Sequence, residues 1–343
     1  QYITDNNVII SYLGKENSDV ISVPTQEEVL NMFNSVKTAE IEAPVEETFD
    51  RPLVETAPTA GTIVKEKFNK KLGTTEWTLS NGIKVVIKPT DFKHDQIIMS
   101  MESEGGSSKI ALNDLPSATL ADAVISYNGI GEFSVLDLQK VLTGKKVSVA
   151  PSISPYSESM SGSSTVKDFE TMMQLTYLYF TAPRQDDQAY QTLISMLETQ
   201  LAARDKNPKN AFNDSIQQTI TCHNPRTLIL DVNLLKKADQ LRAIEIYKER
   251  FANPADFFVT FIGNINPNDE ATRQIICTWL GGLKTDKSRE KYTDHGIRYP
   301  KGKVNNYFSK EMETKTASNR IVYSGKMKAT LANRINMGII GDI

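Results

Sequence analysis

The strongest constraint on the fold is a two-residue turn, Asn81-Gly82, set between two short runs of strand-forming residues. Both turn residues accept the positive φ angles that a tight hairpin requires, so the two runs are predicted to pair as antiparallel strands. Further strand-like runs follow along the chain. The strands predicted in this part of the chain are 75–79, 83–87, 96–104, 145–153 and 156–164.

Helical periodicity dominates the chain after these strands, and Pro and Gly residues mark where the helices end. One further strand at 256–262 and one further helix at 267–280 close the pattern. Strands followed by helices predict an α+β fold in two layers, with a mostly antiparallel sheet covered by helices on one face. The other predicted helices are 114–128, 167–181, 186–204, 208–222 and 231–251.

The first seventy residues have a different character. A buried strand is predicted at 7–14, followed by a helix over 25–37 that a capping box opens. An acidic stretch punctuated by proline then predicts a linker over 39–71. The order of strand, glycine and helix recurs at 257–280, so both segments are interpreted as the end of one domain type.

Composition excludes several classes of protein. The 343 residues include 39 Lys and Arg against 42 Asp and Glu, and this near-neutral balance argues against a nucleic-acid-binding protein. No apolar run approaches the ~20 residues that span a bilayer, so no membrane span is predicted. Two cysteines exclude a disulfide framework. Because the chain starts at Gln1 without an initiator Met and stops within an apolar helical pattern at 335–343, we expect it to be a fragment.

Few residues are candidates for metal or nucleophilic chemistry. The three histidines, His94, His223 and His295, have no second His or Cys at the spacing that places two ligands on one helix face. A zinc site made of Cys222, His223 and Cys277 would lack a fourth ligand. For Cys222 a buried structural role is favoured over that of a catalytic nucleophile, and His94 is interpreted as a solvated loop histidine.

Two other local patterns have structural explanations. Gly129 and Gly131 resemble half of a phosphate-binding loop, but they follow a helix and lack the third glycine. Asp186 and Asp187 are predicted to cap and charge the first turn of a helix. The Met- and Tyr-rich stripe over 169–180 is predicted to be core. These residues alone predict no catalytic site.

Several segments together resemble the pitrilysin and insulin-degrading-enzyme family of zinc peptidases. The likeness is closest to the large zinc proteases of Bacteroides-type bacteria, and it covers essentially the whole chain. The segments that carry it are 79–87, the Gly-Gly-Ser-Ser sequence at 105–108, 167–184, 261–265 and 279–283.

The resemblance implies four homologous α+β domains in two halves that enclose a peptide. Only the first domain of such a protein carries the inverted motif H-x-x-E-H, in which two His bind zinc and the Glu activates the metal-bound water. In this chain, Ala118, Ala121 and Asp122 stand at the positions of the first His, the Glu and the second His. The implied zinc would therefore lie in the full-length protein outside this chain, and the fragment itself would hold no metal or cofactor.

The resemblance also implies how the chain is divided. The complete domain would be the third of four, and the acidic linker would join the two halves. The implied segments are 1–38, the terminal strand and helix of a preceding homologous domain; 39–71, the linker; 72–284, a complete non-catalytic α+β domain; 285–299, a second linker; and 300–343, the truncated start of the fourth domain.

The function implied by the resemblance is that of a non-catalytic region of a zinc-dependent metalloendopeptidase, forming part of the substrate chamber. Its partners would be a peptide or protein substrate and the N-terminal catalytic half of the same polypeptide or a partner subunit. A periplasmic or cell-envelope location in a bacterium is expected, and the fragment alone is expected to be inactive. Two alternatives stay open: a catalytically dead scaffold or partner subunit of the same family, and an unrelated peptide-binding α+β module.

Overall fold

The chain divides into two compact units, residues 1–48 and 49–343. In the first unit, helix α1 spans Gln26–Thr38 and begins at the predicted capping box, in which Thr25 and Glu28 exchange hydrogen bonds. The strand predicted at 7–14 is wrong for residues 8–12, which are irregular; the rest of that prediction lies outside the described residues. The computed structural model describes residues 8–12, 23–39, 51–286, 288–311 and 316–342.

The second unit is built on a seven-stranded sheet. Its strands are β1 Ile63–Asn69, β2 Thr74–Leu79, β3 Lys84–Pro89, β4 Ile97–Glu104, β5 Val147–Ile153, β6 Ser157–Ser164 and β7 Phe258–Gly263. They lie in the order β1-β2-β3-β7-β4-β6-β5, and every neighbouring pair except β3–β7 is antiparallel. The Asn81-Gly82 turn joins β2 to β3, with Gly82 at a φ of 94°. The predicted mostly antiparallel sheet is confirmed.

Strand β7 comes late in the chain but lies between β3 and β4. A strand can pair in parallel with an earlier one only after a long crossover, and here the crossover contains most of the helices. The helices of the second unit are α2 Leu115–Asn128, α3 Val135–Val141, α4 Phe169–Thr181, α5 Asp187–Asp205, α6 Pro208–Ile220, α7 Val232–Leu235, α8 Gln240–Arg250, α9 Glu270–Trp279 and α10 Leu331–Asp342.

One face of the sheet is buried and the other is exposed. Along β4 buried and exposed residues alternate: Met99 and Met101 have no exposed surface, whereas Ile98 is 45% exposed. On the buried face Phe261 of β7 meets Phe169 of α4 edge to face, with ring centroids 5.5 Å apart. A sheet with one apolar face must bury it against helices, so this alternation confirms the two-layer α+β class with helices on one face.

Three elements differ from the sequence-based expectations. Strand β1 lies within the stretch predicted as a linker, 39–71, because an edge strand exposed on both faces shows little alternation in its sequence. The single helix predicted over 231–251 is interrupted between α7 and α8, since Asp239 caps α8 by accepting a backbone N–H. Helix α3 was not predicted, although Ser134 and Asp137 form a capping box at its start.

The described residues after the sheet domain form one regular element, α10, which matches the apolar helical pattern at 335–343. Residues 288–299, within the predicted second linker, contain neither helix nor strand. The division into homologous domains stays a prediction. None of the helices in the described ranges combines the length and the apolar composition that crossing a bilayer requires.

Candidate functional site

The three residues that the resemblance aligns with the zinc motif, Ala118, Ala121 and Asp122, lie on helix α2. Ala118 and Ala121 face the core, where 3% and 0% of their surfaces are exposed. Asp122 is half-buried on the same helix. A methyl group has no lone pair for a metal and cannot transfer a proton, so the two alanines serve to fill the space between α2 and its neighbours.

Asp122 is engaged in a structural contact with the sheet. Its Oδ2 accepts the backbone N–H of Ile153 at 3.2 Å, and its Oδ1 accepts the N–H of Ala123 at 2.8 Å. Ile153 is the last residue of β5, an outer strand of the sheet. The carboxylate therefore satisfies a backbone group at the end of a sheet edge, which is a sufficient reason for an acid at this position.

The residues weighed as zinc ligands lie in separate environments. Cys277 is buried on α9. The prediction of a buried Cys222 is wrong, because this residue is exposed after α6, with its Sγ 3.6 Å from the carbonyl oxygen of Arg298. His223 is exposed beside Cys222, and His94, as expected, is exposed in the loop before β4. Within the described ranges, no three or more His, Cys, Asp and Glu side chains are grouped so that they could hold a metal ion.

The two thiols are expected to differ in reactivity. Burial raises the pKa of the Cys277 thiol, and the thiolate is the reactive form, so Cys277 should react slowly in the folded chain. A maleimide reagent should label Cys222 rapidly and Cys277 only after unfolding, as located by peptide mass mapping. Cys222→Ser serves as the control that removes the rapid phase. Rapid labelling of Cys277 in the native chain would contradict this assignment.

The Gly-Gly-Ser-Ser segment at 105–108, here called the glycine–serine turn, is held tightly at the end of β4. Gly105 and Gly106 have φ angles of 149° and 57°. A Cβ atom added at Gly106 would lie 2.3 Å from the carbonyl oxygen of Ser154, so a larger residue does not fit. The N–H of Gly106 donates to Glu158 Oε2 at 2.7 Å.

Charged side chains surround the glycine–serine turn. Burial raises the pKa of the Glu158 carboxyl, and the hydrogen bond from Gly106 and the charge of Arg250 oppose that rise. Arg250 Nη1 donates to Glu290 Oε2 at 2.6 Å, and Lys109 Nζ lies 3.5 Å from the other oxygen of Glu290. Two carboxylates and two cations thus form one cluster, in which each charge has an opposite charge nearby.

The segment that follows the sheet domain is bound across the same turn. The Ser108 Oγ accepts the N–H of Thr293 at 2.8 Å, and the Ser108 carbonyl oxygen lies 2.7 Å from Nε2 of His295. Arg226 Nη2 donates to another carbonyl oxygen of the turn at 2.6 Å. The part of the predicted second linker at 288–299, here called the strap, is therefore attached to the domain by specific contacts.

These charged residues were missed at the level of sequence, because Glu158, Arg226, Arg250 and Glu290 are far apart in the chain and no spacing connects them. One signal was available. In β6 the side chains at even-numbered positions point inward, as the buried Met160 indicates, so Glu158 is an acid on the buried face. A buried carboxylate requires hydrogen-bond or charge partners, and that requirement points to a cluster.

The exposed face of the sheet carries many small hydroxyl side chains. Ser100 of β4 lies opposite Thr260 of β7 on one side and Ser161 of β6 on the other. Strand β6 contributes two further serines to this face, Ser159 and Ser163. A hydroxyl group both donates and accepts hydrogen bonds, so this part of the exposed face offers both donors and acceptors.

Two curated proteins are similar to the chain, while no family profile matches it. They are the zinc protease PQQL-like protein of Arabidopsis thaliana, 26% identical over 259 residues, and the probable zinc protease PqqL of Escherichia coli K12, 23% identical over 235 residues. The alignments cover 74% and 68% of this chain, but 24% and 25% of the relatives. The chain therefore spans about a quarter of the length of these relatives.

Solved structures share the fold. The periplasmic protease PqqL of Escherichia coli has a TM-score of 0.64 at 20% identity, covering 80% of this chain and 30% of that one. Pitrilysin has a TM-score of 0.51 at 15% identity, and the match covers 71% of this chain and 26% of pitrilysin. In sequence and in fold, the chain resembles zinc proteases of the pitrilysin family. An inactive M16 peptidase domain of Pseudomonas fluorescens also has a TM-score of 0.51, at 14% identity, and the match covers 65% of this chain and 54% of that domain.

These similarities confirm the resemblance that the sequence indicated. The similar curated proteins are named as zinc proteases, so zinc belongs to the chemistry of the family. The segments that carry the resemblance lie at structural landmarks of this chain. Residues 79–87 contain the β2–β3 turn and most of β3, and 105–108 are the glycine–serine turn; 261–265 contain the end of β7.

Proposed function

We propose that this chain is a non-catalytic segment of a zinc-dependent endopeptidase of the pitrilysin family and that it forms part of the wall of the substrate chamber. The observation that carries the proposal is the state of helix α2. Ala118 and Ala121, which the resemblance aligns with a zinc ligand and the catalytic base, are buried, and Asp122 is bonded to the backbone of β5. The inactive peptidase domain among the structural neighbours supports the same conclusion.

The exposed sheet face suits a chamber wall. Its hydroxyl groups can bond the backbone of many different peptides. The zinc and the residues that activate water would come from a catalytic half, in the same polypeptide or in a partner subunit. Closure of the two halves would exclude water and position a peptide or protein substrate against the metal. The periplasmic PqqL structure supports a periplasmic location.

Elemental mass spectrometry of the purified 343-residue chain, dialysed without chelator, tests the proposal together with a quenched-fluorescence peptide assay. We expect near-zero zinc and no hydrolysis, with or without added zinc, because the described residues offer no grouped ligands. About one zinc per chain, or hydrolysis that a chelator abolishes, would overturn the non-catalytic assignment. Thermolysin, a zinc peptidase, is a suitable positive control for the assay.

A catalytically dead scaffold of the same family is the second candidate, and the inactive neighbouring domain is the observation that favours it. The two candidates differ in what the gene encodes upstream of Gln1. An H-x-x-E-H motif with a downstream Glu, in the same or a neighbouring reading frame, supports the peptidase segment. Lack of that motif supports the scaffold.

A further inference from the structure

One outer edge of the sheet, strand β5, is partly closed to pairing. The N–H of Ser154 donates to the Ser157 carbonyl oxygen. Because backbone groups alternate in direction along a strand, the N–H and C=O groups of even-numbered β5 residues point toward β6, and those of odd-numbered residues point away from the sheet. Two of those outward positions cannot donate to another strand. Pro151 has no N–H, and the N–H of Ile153 is bound by Asp122.

The other outer edge, strand β1, keeps its outward groups available. The Leu79 N–H donates to the Ile83 carbonyl, so the odd-numbered residues of β2 bond to β3 and the even-numbered ones to β1. Lys67 lies opposite Glu76 in the β1–β2 register, so the backbone N–H and C=O groups of Lys67 point toward β2. The backbone N–H and C=O groups of its neighbours Glu66 and Phe68 therefore point away from the sheet. An extended backbone could pair with these groups as an additional strand.

A cavity of about 340 Å³ opens beside this edge, on the side to which Glu66 and Phe68 project. Thr75 of β2 and the loop at 266–268 complete much of its lining. The Glu66 carboxylate is held by Arg273 at 3.0 Å, and the Phe68 ring is 65% exposed. Every second side chain of an added strand would project toward this cavity, which is how strand-addition sites select sequences.

The opposite side of the edge is basic. Lys65 of β1 and Lys84 of β3 both lie opposite Thr78 of the intervening strand β2. Their side chains therefore project on the same, exposed face of the sheet. Glu76 on that face accepts a hydrogen bond from Asn69 at 3.2 Å. The basic edge, as defined here, consists of Lys65, Lys67, Lys70, Lys71 and Lys84. In the part of the chain that the structure describes, none of these lysines has a carboxylate within ion-pair distance.

We propose that strand β1 binds an acidic polypeptide segment in extended conformation, which adds to the sheet beside Glu66 and Phe68. Alternate side chains of the segment would enter the cavity, and the others would place carboxylates opposite Lys65 and Lys67. A nucleic acid could neutralise the lysines but could not pair with the backbone edge, so the geometry favours a peptide. Only the identification of the segment as a substrate rests on the proposed function.

Fluorescence anisotropy with the 343-residue chain and two labelled dodecapeptides tests this proposal. One peptide alternates Glu with Thr, and the other alternates Lys with Thr. We expect the acidic peptide to bind at least about tenfold more tightly, and the double substitution Lys65→Glu and Lys67→Glu to remove that preference. Equal affinity for both peptides would overturn the proposal.

A matched pair of variants tests the pairing of backbones. Phe68→Pro removes an outward N–H without touching the β1–β2 hydrogen bonds, whereas Phe68→Ala removes the same ring and keeps the N–H. Binding of the acidic peptide should be at least about tenfold weaker in the Pro variant than in the Ala variant. Equal binding in the two variants would overturn strand addition.

Hydrogen exchange of the unsubstituted chain is a second measurement that does not depend on the folding of a variant. The amides of Glu66 and Phe68 should exchange more slowly when the acidic peptide is added, because they become donors to the new strand. Unchanged exchange under saturating peptide would overturn the proposal. Neither result depends on zinc content or hydrolysis, so a failure here is distinguishable from a failure of the proposed function.

Discussion

The triple substitution Ala118→His, Ala121→Glu and Asp122→His is expected to destabilise the chain by about 4 kcal/mol or more and to create no peptidase activity. Ala121 has no exposed surface, so a glutamate there would bury a carboxylate without a partner and displace its neighbours. The Asp122 change also removes the acceptor for the Ile153 N–H, which contributes about 1 kcal/mol. Peptidase activity would also require a third protein ligand for the zinc and a second half of the molecule to enclose the peptide.

Urea unfolding followed by circular dichroism gives the change in stability, and a quenched-fluorescence peptide with added zinc gives the activity. A matched control is the pair Thr119→His and Ser126→Glu, which places the same chemical groups on exposed positions of α2. The control should stay within about 0.5 kcal/mol of the unsubstituted chain. Hydrolysis by the triple variant, or a stability equal to that of the control, would overturn the burial of Ala118 and Ala121 in the core.

The sheet and most helices could be predicted from sequence because their signals are local. Asn81-Gly82 specifies a hairpin by its own conformational preference, and the alternation along β4 reports which face is buried. Strand β1 could not be predicted in the same way. It pairs with β2 at the edge of the sheet and is largely exposed on both faces, so its sequence carries no burial pattern and resembles that of a charged linker.

The cluster around the glycine–serine turn could not be predicted because it is assembled by the tertiary fold. Glu158 and Arg250 come from β6 and the end of α8, and Glu290 comes from a segment without regular structure. Burial decides the role of each charge, and burial is a property of the folded chain. The same reasoning explains Asp122, whose partner on β5 is thirty-one residues away.

Arg250→Met is expected to destabilise the chain by about 3 kcal/mol at pH 7. The Arg250 side chain is 10% exposed, and its loss leaves Glu290 without its 2.6 Å ion pair and the buried Glu158 without a compensating charge. The strap should loosen as well, because Glu290 belongs to it. Urea unfolding gives the stability, and limited proteolysis should show faster cleavage between residues 288 and 299.

The destabilisation caused by Arg250→Met should depend on pH, because it depends on whether the Glu158 carboxyl is ionised. Burial raises the pKa of the Glu158 carboxyl above that of a glutamate in the unfolded chain, which is about 4.3. Above that pH the unfolded chain carries the charge in water, whereas the folded chain must bury it, so ionisation of Glu158 opposes folding. Arg250 offsets part of that cost only where Glu158 is ionised. The effect of Arg250→Met should therefore be smaller at pH 4 than at pH 7.

Two control variants separate the contribution of charge from that of packing. Arg250→Lys keeps a cation and should lose less stability than Arg250→Met, although a lysine cannot reproduce the geometry of the guanidinium. Adding Glu158→Gln to Arg250→Met should recover stability at pH 7 and little at pH 4, because the amide oxygen can still accept the Gly106 N–H without a charge. An Arg250→Met effect that neither varies with pH nor responds to Glu158→Gln would mean that Arg250 stabilises the turn through packing alone.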